Sequence, residues 1–253
     1  MYGTAQQSAQ FLVNRKVTRW VIPQGPDDPR PQFNPHEFVR NGGTLYSLSK
    51  EGAGTAGPLV TALTVAVVEA AEEFARGCPM GRMPSPLVGV LDEAANVCRW
   101  KNLPDLYSHF GSRGIVLMTI LQSWAQGQEC WGEHGMEKLW SAANIRVYGG
   151  GASDVNFLER LSKLIGEYDV VARSVSYNKG ERSTSRQTQR QNILEVSDLA
   201  SMPPGRAVVF PSGIPPTMVK TVPWFNRPDA GLVQASLAKY DPGSKTPEEQ
   251  RCG

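Results

Sequence analysis

Two adjacent carboxylates, Asp92 and Glu93, stand at the end of the apolar run Leu87-Val88-Gly89-Val90-Leu91. A run of Val and Leu without polar alternation predicts a strand covered on both faces in a parallel sheet. Ligands of open α/β sheets bind outside the carboxyl ends of such strands. The pair has the order of a Walker B motif: Asp92 can hold Mg²⁺, directly or through water, and Glu93 can orient and deprotonate an attacking water. The same two acids can also do no more than open the next loop. Gln122 ends a second apolar run, 114–121. If the two strands are neighbours, its amide bonds both a terminal phosphate and the lytic water; otherwise it is a loop amide in contact with solvent.

The elements that must position these groups alternate along the chain. An apolar stripe of Leu59, Leu63, Ala66, Val67, Ala70 and Phe74 predicts a helix opened by Pro58 and closed by Arg76-Gly77. After the Asp-Glu strand, residues 103–112 place Leu103, Leu106, Tyr107 and Phe110 on one helical side. A helical stretch over 137–143 then leads to a third strand, 144–148, closed by Gly149-Gly150-Gly151. Asp154 caps a helix over Val155–Ile165, with Phe157, Leu158, Leu161, Leu164 and Ile165 as its buried stripe. This βα alternation implies right-handed crossovers and a mostly parallel sheet, three of whose strands end on one rim. Upstream, residues 2–15 carry a weak helical pattern, 23–35 read as a Pro- and Gly-rich loop, 33–38 as a helical turn ended by Gly42-Gly43, and 44–48 as a strand. Downstream, 168–177 alternate as an antiparallel or edge strand, 206–211 form a short strand, and a polar tail follows.

Composition excludes several classes. A formal charge of +2 with a pI near 8.3 is too mild to mark a nucleic-acid binder by global field, so any such role rests on local patches. Cys78, Cys98, Cys130 and Cys252 have no CxxC spacing and suggest neither zinc nor a disulfide framework. No apolar run is long enough to span a bilayer, and the first residues have no signal-peptide pattern. The loop Glu51-Gly52-Ala53-Gly54-Thr55-Ala56-Gly57-Pro58 resembles a phosphate cradle but has Pro-Leu-Val where a P-loop needs its lysine and hydroxyl.

The motifs LVGVLDEAANV (87–97), RGIVLMTILQSWAQ (113–126), GERSTSRQ (180–187) and LEVSDLASMPPGRAVVFPSG (194–213) resemble, in type and spacing, the TraG/TraD-type coupling proteins of type IV secretion and conjugation, RecA-like relatives of FtsK translocases. The resemblance runs from about 44 to 224. It implies a RecA-like three-layer αβα fold with antiparallel strands added near the C-terminus. It also implies a hexameric ring at the cytoplasmic face of the plasma membrane that uses ATP and Mg²⁺ to pass DNA and attached proteins to a secretion channel. By motif, Asp92 and Glu93 correspond to the Walker B pair and Gln122 to the sensor glutamine, and Arg113 is the nearest candidate for an arginine finger. The expected organisation is an N-terminal helix and loop (1–43), the C-terminal half of the nucleotide-binding domain (44–225) and a flexible tail (226–253).

The family's Walker A loop and membrane anchor have no counterpart in this sequence. The chain therefore reads as a C-terminal half, without tight ATP binding by itself. Two functions stay open: the catalytic-acid part of a DNA-translocating ATPase, or a recognition module that docks relaxosome or substrate proteins without hydrolysis. The basic set Arg173, Lys179, Arg182, Arg186 and Arg190, interleaved with Ser183, Thr184 and Ser185, is either a solvated loop or a phosphate-contacting segment, with Lys179, Arg182, Arg186 and Arg190 as the nucleic-acid candidates.

Overall fold

The computed structural model describes residues 18, 21–23, 25–49, 56–178 and 181–240, with backbone alone for 172–178 and 181–185. The helical pattern of 2–15, the glycines of 51–55 and Lys179 lie outside the described residues. The chain divides into two compact units, Met1–Asn144 and Ile145–Gly253.

In the first unit, α1 (Pro35–Asn41) starts where the Asn34 side chain accepts hydrogen bonds from the amides of His36 and Glu37, and stops at Gly42 with φ 73°. Helix α2 (Gly57–Arg76) has Pro58 in its first turn, the one place where a missing N–H is harmless. Its buried face is Val67, Val68, Ala70, Ala71 and Ala75, so small side chains bring the helix close to the strands. Strand β1 (Leu87–Leu91) leads through α3 (Ala94–Val97) and α4 (Leu103–Arg113) to β2 (Ile115–Thr119). The left-handed Gly114 (φ 81°) ends α4 and turns the chain into β2. Strands β1 and β2 are parallel, with Leu87 opposite Ile115 and Leu91 opposite Thr119. Tyr107 of α4 donates from its hydroxyl to the Leu117 carbonyl at 2.7 Å, which fixes the crossover helix on the sheet. Leu103, Phe110 and Ile115 are almost wholly buried, with Phe110 tilted on Trp100 at 5.7 Å. Each such side chain contributes about 1.5–3 kcal/mol by leaving water. Helix α5 (Trp124–Ala142) bends at Gly132, whose φ of 75° and ψ of 168° interrupt the ladder.

In the second unit, β3 (Ile145–Tyr148), β6 (Arg206–Pro211) and β7 (Thr217–Lys220) form an antiparallel sheet in the order β3-β6-β7. Helix α6 (Val155–Ile165) is capped by the Asp154 carboxylate, which accepts from the Phe157 amide at 3.1 Å. It buries Leu158, Leu161 and Ser162, the last donating to the Leu194 carbonyl at 2.6 Å. Phe157 is only half-buried and Leu164 is exposed, so the buried stripe is narrower than expected. Strands β4 (Glu167–Asn178) and β5 (Glu181–Asn192) make a separate antiparallel ribbon of twelve paired positions. Helix α7 (Val196–Ala200) follows, and its buried Leu199 accepts at its carbonyl from the Tyr148 hydroxyl at 3.1 Å. Helix α8 (Ala230–Tyr240) buries none of its side chains.

Several expectations are corrected. Residues 44–48 are not a strand: Tyr46 and Leu48 are 84% and 88% exposed and no ladder forms there. The sheet is not mostly parallel, since the described residues contain one parallel pairing and three antiparallel ones. The third strand does not extend the parallel pair, because Arg206–Pro211 supplies its partner in antiparallel register. Strands β1 and β2 are not covered on both faces: Val88, Val90, Val116 and Met118 are all about half exposed or more. The basic stretch 181–192 is a strand and not a loop. Residues 230–240, inside the stretch expected as a flexible tail (226–253), are helical, while 241–253 lie outside the described residues.

Candidate functional site

Parallel pairing in this register puts the carboxyl ends of β1 and β2 side by side, and the chemistry-bearing residues follow those ends directly. Two backbone bonds lock the ends together: Ile120 donates to the Leu91 carbonyl at 3.0 Å, and Ala94 donates to the Ile120 carbonyl at 3.1 Å. Between them Asp92 is exposed and Glu93 is half-buried. Glu93 takes the left-handed conformation, φ 48° and ψ 44°, which is costly for a residue with a Cβ. That conformation lets the chain leave the strand and enter α3 within two residues, with Ala94 and Ala95 packed beneath. Such strain persists where the surrounding structure enforces it, often at functional sites.

The Gln122 amide donates to Glu93 Oε1 at 2.5 Å. Behind it, Gln126 donates from Nε2 to Gln122 Oε1 at 3.3 Å. Because the oxygen of Gln122 is held by Gln126, its nitrogen faces Glu93. Ser123 caps α5 by accepting from the Gln126 amide at 3.2 Å, so the helix start carries both glutamines. Gln126 had no assigned role in the sequence, although its spacing of four from Gln122 at a Ser-capped helix start is the signal that finds it.

Among the described residues no three His, Cys, Asp or Glu groups gather as a metal site. Mg²⁺ in a nucleotide site needs only one or two carboxylates, with water and phosphate as the other ligands, and the exposed Asp92 carboxylate fits that requirement. Arg113 is elsewhere. It precedes the amino end of β2, while Gln122 follows the carboxyl end, and it donates from Nη1 to the Gly81 carbonyl at 3.4 Å. Arg182, Arg186 and Arg190 belong to the ribbon strand β5, in the second unit, where Arg186 and Arg190 are exposed. No helix among the described residues is long and apolar enough to cross a membrane.

Residues 86–204, which contain this site, match the family model described as "TraM recognition site of TraD and TraG". The conjugal transfer protein TraG of Agrobacterium fabrum is 26% identical over 153 residues, covering 59% of this chain and 23% of that protein. The conjugal transfer protein TraG of Rhizobium radiobacter is also 26% identical over 153 residues, covering 59% and 24%. The chain thus spans about a quarter of the length of the curated relatives it matches. Among solved structures, the bacterial conjugative coupling protein TrwBdeltaN70, in a trigonal form in complex with sulphate, superposes with a TM-score of 0.51 at 21% identity. That match covers 66% of this chain and 37% of the other, and it shows an α/β fold in common. Over residues 86–204 the chain is similar to the C-terminal region of the TraG/TraD-type conjugative coupling proteins.

Proposed function

We propose that this chain supplies the hydrolytic acids and the sensing amide of an ATP-driven conjugative coupling protein. The observation that carries the reading is the Gln122 to Glu93 hydrogen bond at the joined carboxyl ends of two parallel strands. When bound, Mg²⁺ would supply charge neutralisation for the phosphates of ATP. Asp92 would hold the metal, directly or through its water. Glu93 would orient the attacking water and take its proton. Gln122 bonds Glu93 in the structure, so a nucleotide competing for the amide would pull it from the carboxylate. That links the state of the site to the start of α5, because Ser123 and Gln126 are the next residues along.

The sequence contains no GxxxxGK[ST], so the phosphate cradle comes, in this reading, from a segment outside these residues. A RecA-like three-layer arrangement is supported by the exposed Val88, Val90, Val116 and Met118, since a parallel sheet is ordinarily covered on both faces. Assembly as a hexamer, action at the cytoplasmic face of the plasma membrane, transfer of DNA with its attached proteins to the secretion channel, and an arginine finger at Arg113 supplied in trans belong to the same proposal.

The test is turnover. The chain alone should show no ATPase above background. Supplied with a Walker A-bearing partner segment, it should hydrolyse ATP, with Glu93→Gln lowering kcat by about a hundred- to ten-thousand-fold while nucleotide still binds. Turnover unaffected by Glu93→Gln would refute the assignment. A second reading, a module that docks relaxosome proteins without hydrolysis, is favoured by the description of the matching family region as a TraM recognition site. Full partner binding with no turnover in any assembled form would select it.

A further inference from the structure

The strands β4 and β5 carry four arginines, Arg173, Arg182, Arg186 and Arg190, against the acids Glu167, Asp169 and Glu181. The stretch 167–192, with Lys179 counted, is net +2, the whole formal charge of the chain, so everything else sums to zero. The ribbon is the local patch that the mild global charge conceals.

The register sorts that charge. Asp169 pairs with Arg190, Val171 with Thr188, Arg173 with Arg186, Val175 with Thr184 and Tyr177 with Arg182. Because strand positions alternate between faces, all four arginine positions share one face. The alternate positions pair Tyr168 with Gln191, Val170 with Gln189, Ala172 with Gln187, Ser174 with Ser185 and Ser176 with Ser183, a face without arginine or lysine. Arg173 and Arg186 stand directly opposite, an arrangement of like charges that disfavours pairing unless an anion lies over it. Arg182, Arg186 and Arg190 recur every fourth residue, a step of about 13 Å along the strand, with Thr184 and Thr188 at the positions between.

We infer that the arginine face of this ribbon is a rail for the phosphate backbone of a nucleic acid. The inference rests on the reading above in taking the transferred polymer as DNA. A regular row of arginine forks with hydroxyl donors between them suits a polymer whose charge repeats, and it reads no bases. An acidic protein surface calls for no such repetition. At the ribbon base Arg190 has Asp169 as an ion-pair partner at 3.7 Å, so the row acts mainly through the positions farther out.

The test titrates the full chain with labelled single-stranded and duplex oligonucleotides over a series of salt concentrations. Each phosphate contact contributes about 0.7–0.9 to the slope of log K against log salt. R182A/R186A should therefore lower the slope by roughly 1.4–1.8, so that a fourfold rise in salt costs the variant about tenfold less affinity than it costs the parent. R182K/R186K, which keeps the charge, should restore most of the slope. Q187A/Q189A, on the opposite face, should leave it unchanged. Unchanged affinity and slope in R182A/R186A would overturn the inference, as would an equal loss in Q187A/Q189A or the absence of any DNA binding by the parent. Tighter binding of polyglutamate than of DNA at equal charge would assign the face to an acidic protein instead. Mg²⁺–nucleotide turnover with and without Glu93→Gln is scored separately, so failure of the rail leaves the assignment of the acids standing, and the converse.

Discussion

Replacing Glu93 by glycine should stabilise the first unit relative to replacing it by alanine, because the backbone at Glu93 is left-handed. Both variants lose the carboxylate and its bond to Gln122 equally, so their difference reports the backbone alone. A left-handed residue with a Cβ costs about 1–2 kcal/mol. Glycine removes that cost but adds about 0.5–1 kcal/mol of unfolded-state entropy. The expected net advantage of Glu93→Gly over Glu93→Ala is about 0.5–1 kcal/mol, or a rise in Tm of roughly 1–4 °C for a unit of this size. Urea and thermal unfolding followed by tryptophan fluorescence would measure it, since Trp100 and Trp131 are joined in this core by a 2.9 Å hydrogen bond. Met80 is the natural control: among the described residues it is the other non-glycine residue with positive φ, at 57°, and it is 96% exposed. Met80→Gly against Met80→Ala should show the same gain away from the acids. Equal stability of the two Glu93 variants, with the Met80 gain present, would refute the view that strain is stored at Glu93.

Two further outcomes follow from the core. Burial pushes the Cys98 thiol up, by more than Thr64 and Thr61 bring it down, and burial likewise pushes Cys130 up against the opposing pull of Arg99. Folded values above the unfolded one mean that the stability they contribute is full below the ordinary thiol range near about pH 8.5 and declines as pH rises through it. The urea midpoint should therefore fall more steeply above that pH in the parent than in C98A/C130A, and parallel profiles would refute it. Phe110→Ala should destabilise the first unit by about 3–5 kcal/mol in the same urea assay, since Phe110 is 2% exposed and packed on Trp100. A loss below about 1 kcal/mol would show that the neighbouring core collapses to fill the space.

Cap signals in the sequence carried over to the structure, whereas among the strand neighbours only the pairing of β1 with β2 did. Asn34, Pro35 and Gly42 bound α1, and Asp154 and Gly166 bound α6, because caps act through atoms a few residues apart. The bounds of β6 are also those read from its apolar run. Partner choice is different in kind. Residues 44–48 have strand composition without a ladder, and β3 pairs with a strand some sixty residues later in antiparallel sense, facts that depend on what lies alongside. At the site, the adjacency of Glu93 and Gln122 followed from reading two apolar strands as neighbours. The left-handed turn at Glu93 did not, because glutamate carries no mark for positive φ.

The uncovered face of β1 and β2 is where these two kinds of information meet. Composition reports the environment that a strand is built for, and the Val and Leu run of 87–91 is built for burial on both sides. The structure fills one side: Leu91 and Ile115 join the core, with Leu87 and Leu117 packed against it. On the other side Val88 lies opposite Val116 and Val90 opposite Met118, at 63%, 49%, 59% and 56% exposure. A solitary two-stranded parallel pair with that face in water is a poor end state for such a sequence. The excess apolar character is explained if further strands and a covering layer complete the sheet, as in the three-layer arrangement proposed above. On that view the acids that follow β1 and the amide that follows β2 mark the middle of a larger sheet.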